Sequence, residues 1–233
     1  MCEHPEYNRD TNPYPSFGKK YNSERAIISL TSWKARINTV SKTLFSLLKQ
    51  CPGFHIVLVL SEEEFPKMMD ELPENLMLFV DNELIEVLWV YKNYKSFKKV
   101  LFTMDKYRDV PVISADDDCI YTCNYAQELY NEYIKTEYRF PIVYRAFNGQ
   151  YMQGPCSLYP PYLFKPLIKN FNYDTCGVEG DDDYYSKFFI ENKIKIHMLS
   201  HVKYPCFFAN EFCPMHGTKK HPEWIKFSSY FNS

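Results

Sequence analysis

Val112-Ile113-Ser114-Ala115-Asp116-Asp117-Asp118 is a short apolar run that stops in three consecutive acids. The run reads as a strand, and the acids sit at its carboxyl end. Side chains alternate along a strand, so Asp116 and Asp118 are expected on one side and Asp117 on the other. Two carboxylates on one side of a strand end suit a hard divalent cation, Mg²⁺ or Mn²⁺. Such a cation neutralises a departing diphosphate. The plainer reading of an acidic triplet is a solvated loop, and its place at the end of an apolar strand speaks against that.

Upstream of this stretch, strands and helices alternate. Residues 26–30 form an apolar run, and 31–36 a polar loop. From 37 to 50, Val40, Leu44, Leu47 and Leu48 recur at helical spacing, and Pro52-Gly53 stops the helix. Residues 54–60 are continuously apolar, as expected for a strand covered on both faces. A short helix is expected over 62–72, with Pro66 near its start. Strands are expected over 76–79 and 84–90, and a helix over 95–107 with Val100, Leu101 and Met104 on one side. The acid-bearing strand is expected over 110–114.

Downstream, Asn124 suits the cap of a helix running to about 135. Residues 141–144 read as a strand and 145–161 as a loop-rich region. A helix is expected over 179–191, with acids in its first turn where the helix dipole favours them. A late strand covers 194–199. The irregular tail from 201 holds His201, His216 and His221.

Strand, helix, strand, helix, strand predicts an α/β fold: one domain with a mainly parallel open sheet flanked by helices, Rossmann-like. Residues 1–22 read as an irregular lead-in, 23–200 as the catalytic domain, and 201–233 as a tail packing on that domain. Open sheets bind ligands outside the carboxyl ends of their strands. Thr31-Ser32 and the acid triplet both follow strand ends, so they are expected to share one crevice.

Composition narrows the function classes. The 233 residues carry a net charge of −2, which offers no basic field for nucleic acid. Seven Gly against 15 Pro argues against Gly-rich phosphate loops. No G-x-x-x-x-G-K-[ST], G-x-G-x-x-G or G-x-S-x-G occurs, which sets aside P-loop kinases, dinucleotide dehydrogenases and α/β-hydrolases. Residues 1–20 are polar, with no apolar core of signal-peptide length, and nothing approaches the roughly 20 apolar residues of a membrane span. Eight Cys lie at irregular spacings without a C-x-x-C pair, which predicts reduced thiols in the cytoplasm. Trp224, Phe227, Tyr230 and Phe231 in the tail could give peripheral contact with the inner membrane face, or simply pack on the core.

Several residues carry candidate chemistry. Glu179-Gly180-Asp181-Asp182-Asp183 is a second acid cluster. A carboxylate near an electrophilic carbon takes the proton of an incoming hydroxyl; alone, the cluster reads as ordinary charge at a helix start. Lys34, Arg36, Lys95, Lys98 and Lys99 could face a diphosphate, and Arg36 ranks first because it follows the first strand's end. For most of the five, a solvated surface cation is the simpler reading. Trp33 could stack on a base or sugar, or serve as a core residue. Residues 148–161, with Gly149, Tyr151, Gly154 and Tyr159, suit the wall of an acceptor or donor-sugar pocket, or a plain connection. His201, Cys206, Cys213 and His216 have the ligand count of a zinc site but no paired knuckle. A single late His adding to the Asp metal set is the more interesting arrangement. Cys119 and Cys123 have no evident basic partner, so no thiol nucleophile is expected.

Together these pieces resemble the nucleotide-sugar glycosyltransferases of the GT-A fold, in particular small bacterial enzymes of surface-polysaccharide synthesis. Ile28-Ser29-Leu30-Thr31-Ser32-Trp33 with Arg36 looks like the first strand and donor-nucleotide loop. Ile113-Ser114-Ala115-Asp116-Asp117-Asp118-Cys119-Ile120-Tyr121 looks like the D-x-D metal motif. Ser157-Leu158-Tyr159-Pro160-Pro161 resembles a loop preceding the acceptor side, and Asp182-Asp183-Tyr184-Tyr185 the late acidic pair. The resemblance implies Mn²⁺ or Mg²⁺ held by Asp116 and Asp118, with His216 or His201 as a further ligand. It implies a donor held by Thr31, Ser32, Trp33, Arg36, Lys98 or Lys99, Asp116 and Asp117, and Asp182 or Asp183 as the base. Asp181 extends the late cluster, which leaves the register of the base open by one residue. The expected reaction moves a sugar from a nucleoside diphosphate donor to a hydroxyl of a glycan or lipid-linked acceptor, with inversion. The alternatives are a nucleotidyltransferase or sugar-nucleotide hydrolase, and a non-catalytic carbohydrate-binding subunit.

Overall fold

The structure is a computed structural model that describes residues 25–50, 53–144, 146–147, 151–152, 156–172, 180–199 and 206–208. The lead-in over 1–22, the late histidines His201, His216 and His221, Cys213 and the tail aromatics lie outside these residues.

Strands β1 (Ala26–Thr31), β2 (Phe54–Ser61), β3 (Glu86–Val90) and β4 (Val112–Asp116) form the parallel half of a seven-stranded sheet. Short strands β6 (Ile142–Val143), β9 (Ser157–Tyr159) and β10 (His197–Met198) complete it in the order β10-β6-β9-β4-β1-β2-β3. β9 runs antiparallel to both β4 and β6, so the sheet is mostly rather than wholly parallel. β5 (Cys119–Tyr121) follows β4 directly and pairs with β11 (Cys206–Phe208), while β7 (Ala146–Phe147) and β8 (Tyr151–Met152) form a separate hairpin.

The continuous apolar runs of β1, β2 and β4 are explained by helices on both faces. On one face lie α1 (Val40–Leu47), α2 (Glu74–Asp81) and α4 (Tyr125–Lys135), packing Val40, Leu44, Leu76 and Leu129 against Ile28, Leu30, Ile56, Leu58 and Ile113. On the other lie α3 (Lys98–Lys106), α5 (Lys165–Asn170) and α6 (Asp181–Glu191). There Val100, Met104, Tyr185 and Phe189 cover Ile27, Val57, Val59, Val112 and Tyr159. Burial of this apolar area on two faces is the main stabilising force.

Two expected elements differ. Residues 62–72 form turns and a single 3-10 turn, Met68–Glu71, instead of a helix. Ser61, Glu64 and Phe65 close a tight turn, and Phe65 inserts into the core against Trp89. Residues 76–79, expected as a strand, lie within α2. Pro73 occupies its N-cap in extended conformation and Glu74 opens its first turn, a start signal that outweighs the apolar run behind it. Asn124 does stand at the N-cap of α4, but its side chain makes no capping bond.

Candidate active site at the carboxyl edge of the sheet

In the parallel register Thr31 lies beside Asp116, so the two loops leaving β1 and β4 are neighbours across 85 residues of chain. The β4 strand ends at Asp116, and Asp117-Asp118 form the turn into β5. Strand alternation therefore does not extend through the triplet. Its side chains are sorted by their partners instead.

Asp117 is turned inward. One oxygen accepts from Ser32 Oγ at 2.6 Å and the other from the Arg36 guanidinium at 2.6 Å. Its carbonyl accepts from Thr43 Oγ1 at 2.9 Å. Arg36 also pairs with Asp118 Oδ2 at 2.9 Å. Burial works against the Arg36 charge, but Asp117 and Asp118 outweigh it and hold the guanidinium pKa above its ordinary value. Burial raises the Asp117 carboxyl in spite of Arg36 and Ser32. The turn is fixed from below as well: Tyr121 Oη accepts from the Asp116 N–H at 2.7 Å, and Ser46 Oγ from the Tyr121 N–H at 3.0 Å.

Asp116 pairs with Lys99 Nζ at 2.6 Å, and the same nitrogen lies 3.2 Å from Asp181 Oδ2 at the start of α6. One buried lysine thus joins the β4 acids to the late acid cluster. Burial penalises its charge, yet Asp116, Asp181 and Asp182 raise its pKa well above the ordinary value, so it stays a cation. On α6, Asp181 is buried, Asp182 half-buried and Asp183 exposed, the last on a face shared with Lys187 and Ile190. Glu179 lies outside the described residues.

The other expected site residues are placed as follows. Thr31 Oγ1 donates to the Val59 carbonyl at 2.7 Å. Trp33 is half-buried, and its Nε1, shielded from solvent, takes no hydrogen bond. Lys98 is buried and bonds Glu64 at 3.2 Å and Asn93 at 3.0 Å, with its pKa lowered by burial in spite of Glu64. Tyr159 is buried beneath the site, and its hydroxyl pKa is raised by burial and then by Asp182 and Asp181. Lys34 pairs with Glu71 at the surface.

Thr43 and Ser46 complete the arrangement and are not singled out from sequence, while Asp181 and Tyr121 stand in the two acid stretches without a role of their own. Thr43 and Ser46 carried a usable signal: both are polar residues on the apolar face of α1, where a buried hydroxyl needs a partner. Tyr121 had no such signal.

Whether a divalent cation fits can be judged from the carboxylate oxygens. Asp117 has both engaged and its side chain is 7% exposed, against 34% for Asp116 and 17% for Asp118. Among the described residues no hydrogen bond reaches Asp116 Oδ2, and Asp118 Oδ1 meets only the Cys119 thiol at 3.7 Å. Among the described residues no group of three or more His, Cys, Asp or Glu is arranged to hold a metal ion. Two carboxylates with spare oxygens at a crevice fit Mg²⁺ or Mn²⁺ shared with substrate phosphates, since such ions take one or two protein carboxylates and fill the rest from phosphate and water.

The fold and this edge define an α/β domain in which paired acids and buried cations meet at the carboxyl ends of the strands. Neither a family model nor a curated protein matches the sequence. Solved structures do match. TarS of S. aureus superposes with a TM-score of 0.54 at 13% identity, over 79% of this chain and 36% of that one. A TarS structure of residues 1–349 gives 0.53 at 13% identity, over 78% and 59%. The glycosyltransferase GlyE of Streptococcus pneumoniae TIGR4 gives 0.47 at 16% identity, over 77% and 46%. The chain spans less than two thirds of each of these proteins. At such identity the likeness to TarS is one of fold, and the fold is a Rossmann-like α/β domain. Among the described residues no helix is long and apolar enough to cross a membrane.

Proposed function

We propose that the chain is a metal-dependent glycosyltransferase of GT-A type, moving a sugar from a nucleoside diphosphate donor to an acceptor hydroxyl with inversion. One observation carries this reading: Lys99 brings the β4 acids and the acid-led start of α6 together at the carboxyl edge of the sheet. That edge is where open α/β sheets bind their ligands.

Asp116 and Asp118 would hold Mn²⁺ or Mg²⁺, which stabilises the negative charge of the leaving diphosphate. Asp182, or Asp183 beside it, accepts the proton of the attacking hydroxyl. Arg36, Ser32 and Asp117 keep the acid turn in place beside the donor. Trp33 offers its ring to the base or sugar. A His beyond the described residues, His216 or His201, would complete the metal set. A glycan or lipid-linked acceptor in the cytoplasm, at the inner membrane face, suits this reading.

Thermal shift with UDP, GDP, CDP and dTDP, each with and without Mn²⁺, tests it, because selective ligands stabilise the folded state by mass action. A shift with one nucleotide that requires Mn²⁺ is the expected result. Mn²⁺-independent glycan binding, with no nucleotide shift, would overturn it in favour of a carbohydrate-binding subunit. Release of free sugar phosphate in place of a glycoside would identify a hydrolase or nucleotidyltransferase.

A further inference from the structure

The acids of the crevice are matched to cations in two separate sets. Arg36 answers Asp117 and Asp118, and Lys99 answers Asp116 and Asp181. The second set is the unusual one. Lys99 is 3% exposed, and its nitrogen pairs with two carboxylates on different elements, β4 and α6. Asp181 Oδ2 is buried and takes no hydrogen bond beyond that 3.2 Å ion pair. Asp182 adds a third negative charge close enough to act on Lys99. Remove the lysine, and like charges from two elements face each other in a medium where such pairs repel strongly.

Clusters of this acidity elsewhere gather two divalent ions about 3.5–4 Å apart. Here an ammonium fixed by α3 stands between the two acid clusters. We propose that Lys99 is a resident cation of the crevice, doing the work of a second metal ion. The site is then assembled before any metal arrives, and it takes up a single ion at Asp116 and Asp118. This rests on the metal-dependent reading above and deepens it.

The experiment counts bound Mn²⁺ by the loss of its free-ion EPR signal. It also compares melting temperatures in Mn²⁺ and in EDTA. The parent chain should bind one ion and melt only slightly higher in Mn²⁺ than in EDTA, the small gain that a single ion site gives by mass action. Lys99→Met should become cation-dependent, melting about 5–10 °C lower in EDTA than in Mn²⁺, because the ion replaces the missing charge. Lys99→Arg should behave as the parent. The double variant Lys99→Met/Asp181→Asn removes one charge of each sign and should lose the cation dependence again. If Lys99→Met does not fold, the double variant decides: a folded, cation-indifferent protein supports the proposal, and an unfolded one overturns it. Equal EDTA and Mn²⁺ melting of a folded Lys99→Met would also overturn it. Absence of Mn²⁺ uptake by the parent, with or without nucleotide, sinks the metal-dependent reading itself and with it the single-ion count, whereas the EDTA comparison judges Lys99 alone.

Discussion

Ser32 Oγ donates to Asp117 Oδ2 at 2.6 Å, joining the loop after β1 to the turn after β4. The bond is short, buried and charge-assisted. It makes Asp117 the member of the triplet that builds the site, leaving Asp116 and Asp118 as the members with oxygens to spare.

Breaking the Arg36 end of this arrangement should be costly. Arg36→Met leaves two carboxylates without their buried cation, a change that typically costs about 3–5 kcal/mol. Urea unfolding should show a loss of that order at pH 7. A loss below about 1 kcal/mol would mean that the pair is solvated and worth no more than a surface bridge.

The three acids should separate by phenotype. Asp116→Asn and Asp118→Asn should both abolish the Mn²⁺-dependent part of any nucleotide shift, Asp118→Asn with little change in melting temperature and Asp116→Asn with a lower one, because buried Lys99 loses a partner. Asp117→Asn should lower the melting temperature and retain Mn²⁺ uptake. Calorimetric titration of Mn²⁺ with the stabilising nucleotide checks this, and unchanged Mn²⁺ affinity in Asp118→Asn would end the assignment.

Much of this was legible in the sequence, for identifiable reasons. The strands 26–31, 54–61 and 112–116 announced themselves because burial on both faces demands unbroken apolar runs, and an acid at the end of such a run has few places to go but the sheet edge. The helix 74–81 was misread because it is short and its exposed side still carries Leu78, so periodicity was hidden; Pro73 was the cue that mattered. The partition within the triplet was illegible because a turn replaces the strand at Asp117. Lys99 stood among five candidate cations, and only the tertiary fold shows that it bridges Asp116 and Asp181.

Acid stability should be governed at the opposite end of the strands. His55 opens β2 and pairs with Glu86 at 3.1 Å; Lys106 and Tyr107 donate to the same carboxylate. Burial opposes the Glu86 charge, but bonds from His55, Lys106 and Tyr107 outweigh it and bring its pKa down to about 2 from 4.5. The unfolded chain thus takes up this proton first. Stability from Glu86 is full above pH 4.5 and is lost as pH falls from 4.5 towards 2, about 3 kcal/mol in all. Burial also lowers the His55 pKa in spite of Glu86, so its contribution is present above pH 6.5 and begins to fade below it. Urea unfolding from pH 7 to 3 should show both declines, and Glu86→Gln should remove the one below 4.5. An unchanged profile in that variant would refute the assignment.

The two candidate bases differ in what surrounds them. Asp182 is half-buried and follows directly on Asp181, whose carboxylate lies 3.2 Å from Lys99. Asp183 is exposed one residue on, and a step of 100° around the helix carries it to the side of Lys187 and Ile190. A base must lie within hydrogen-bond reach of the hydroxyl it deprotonates, so position decides before acidity does. Asp182→Asn should therefore lower turnover by about 10²–10⁴-fold, the usual contribution of a general base, while leaving the nucleotide shift in Mn²⁺ intact. Asp183→Asn should cost less than about threefold, as expected of a surface charge with no contact to the reacting atoms. Single-turnover transfer from the donor that the thermal-shift panel identifies is the measurement, and a larger loss in Asp183→Asn would move the base one residue along the helix.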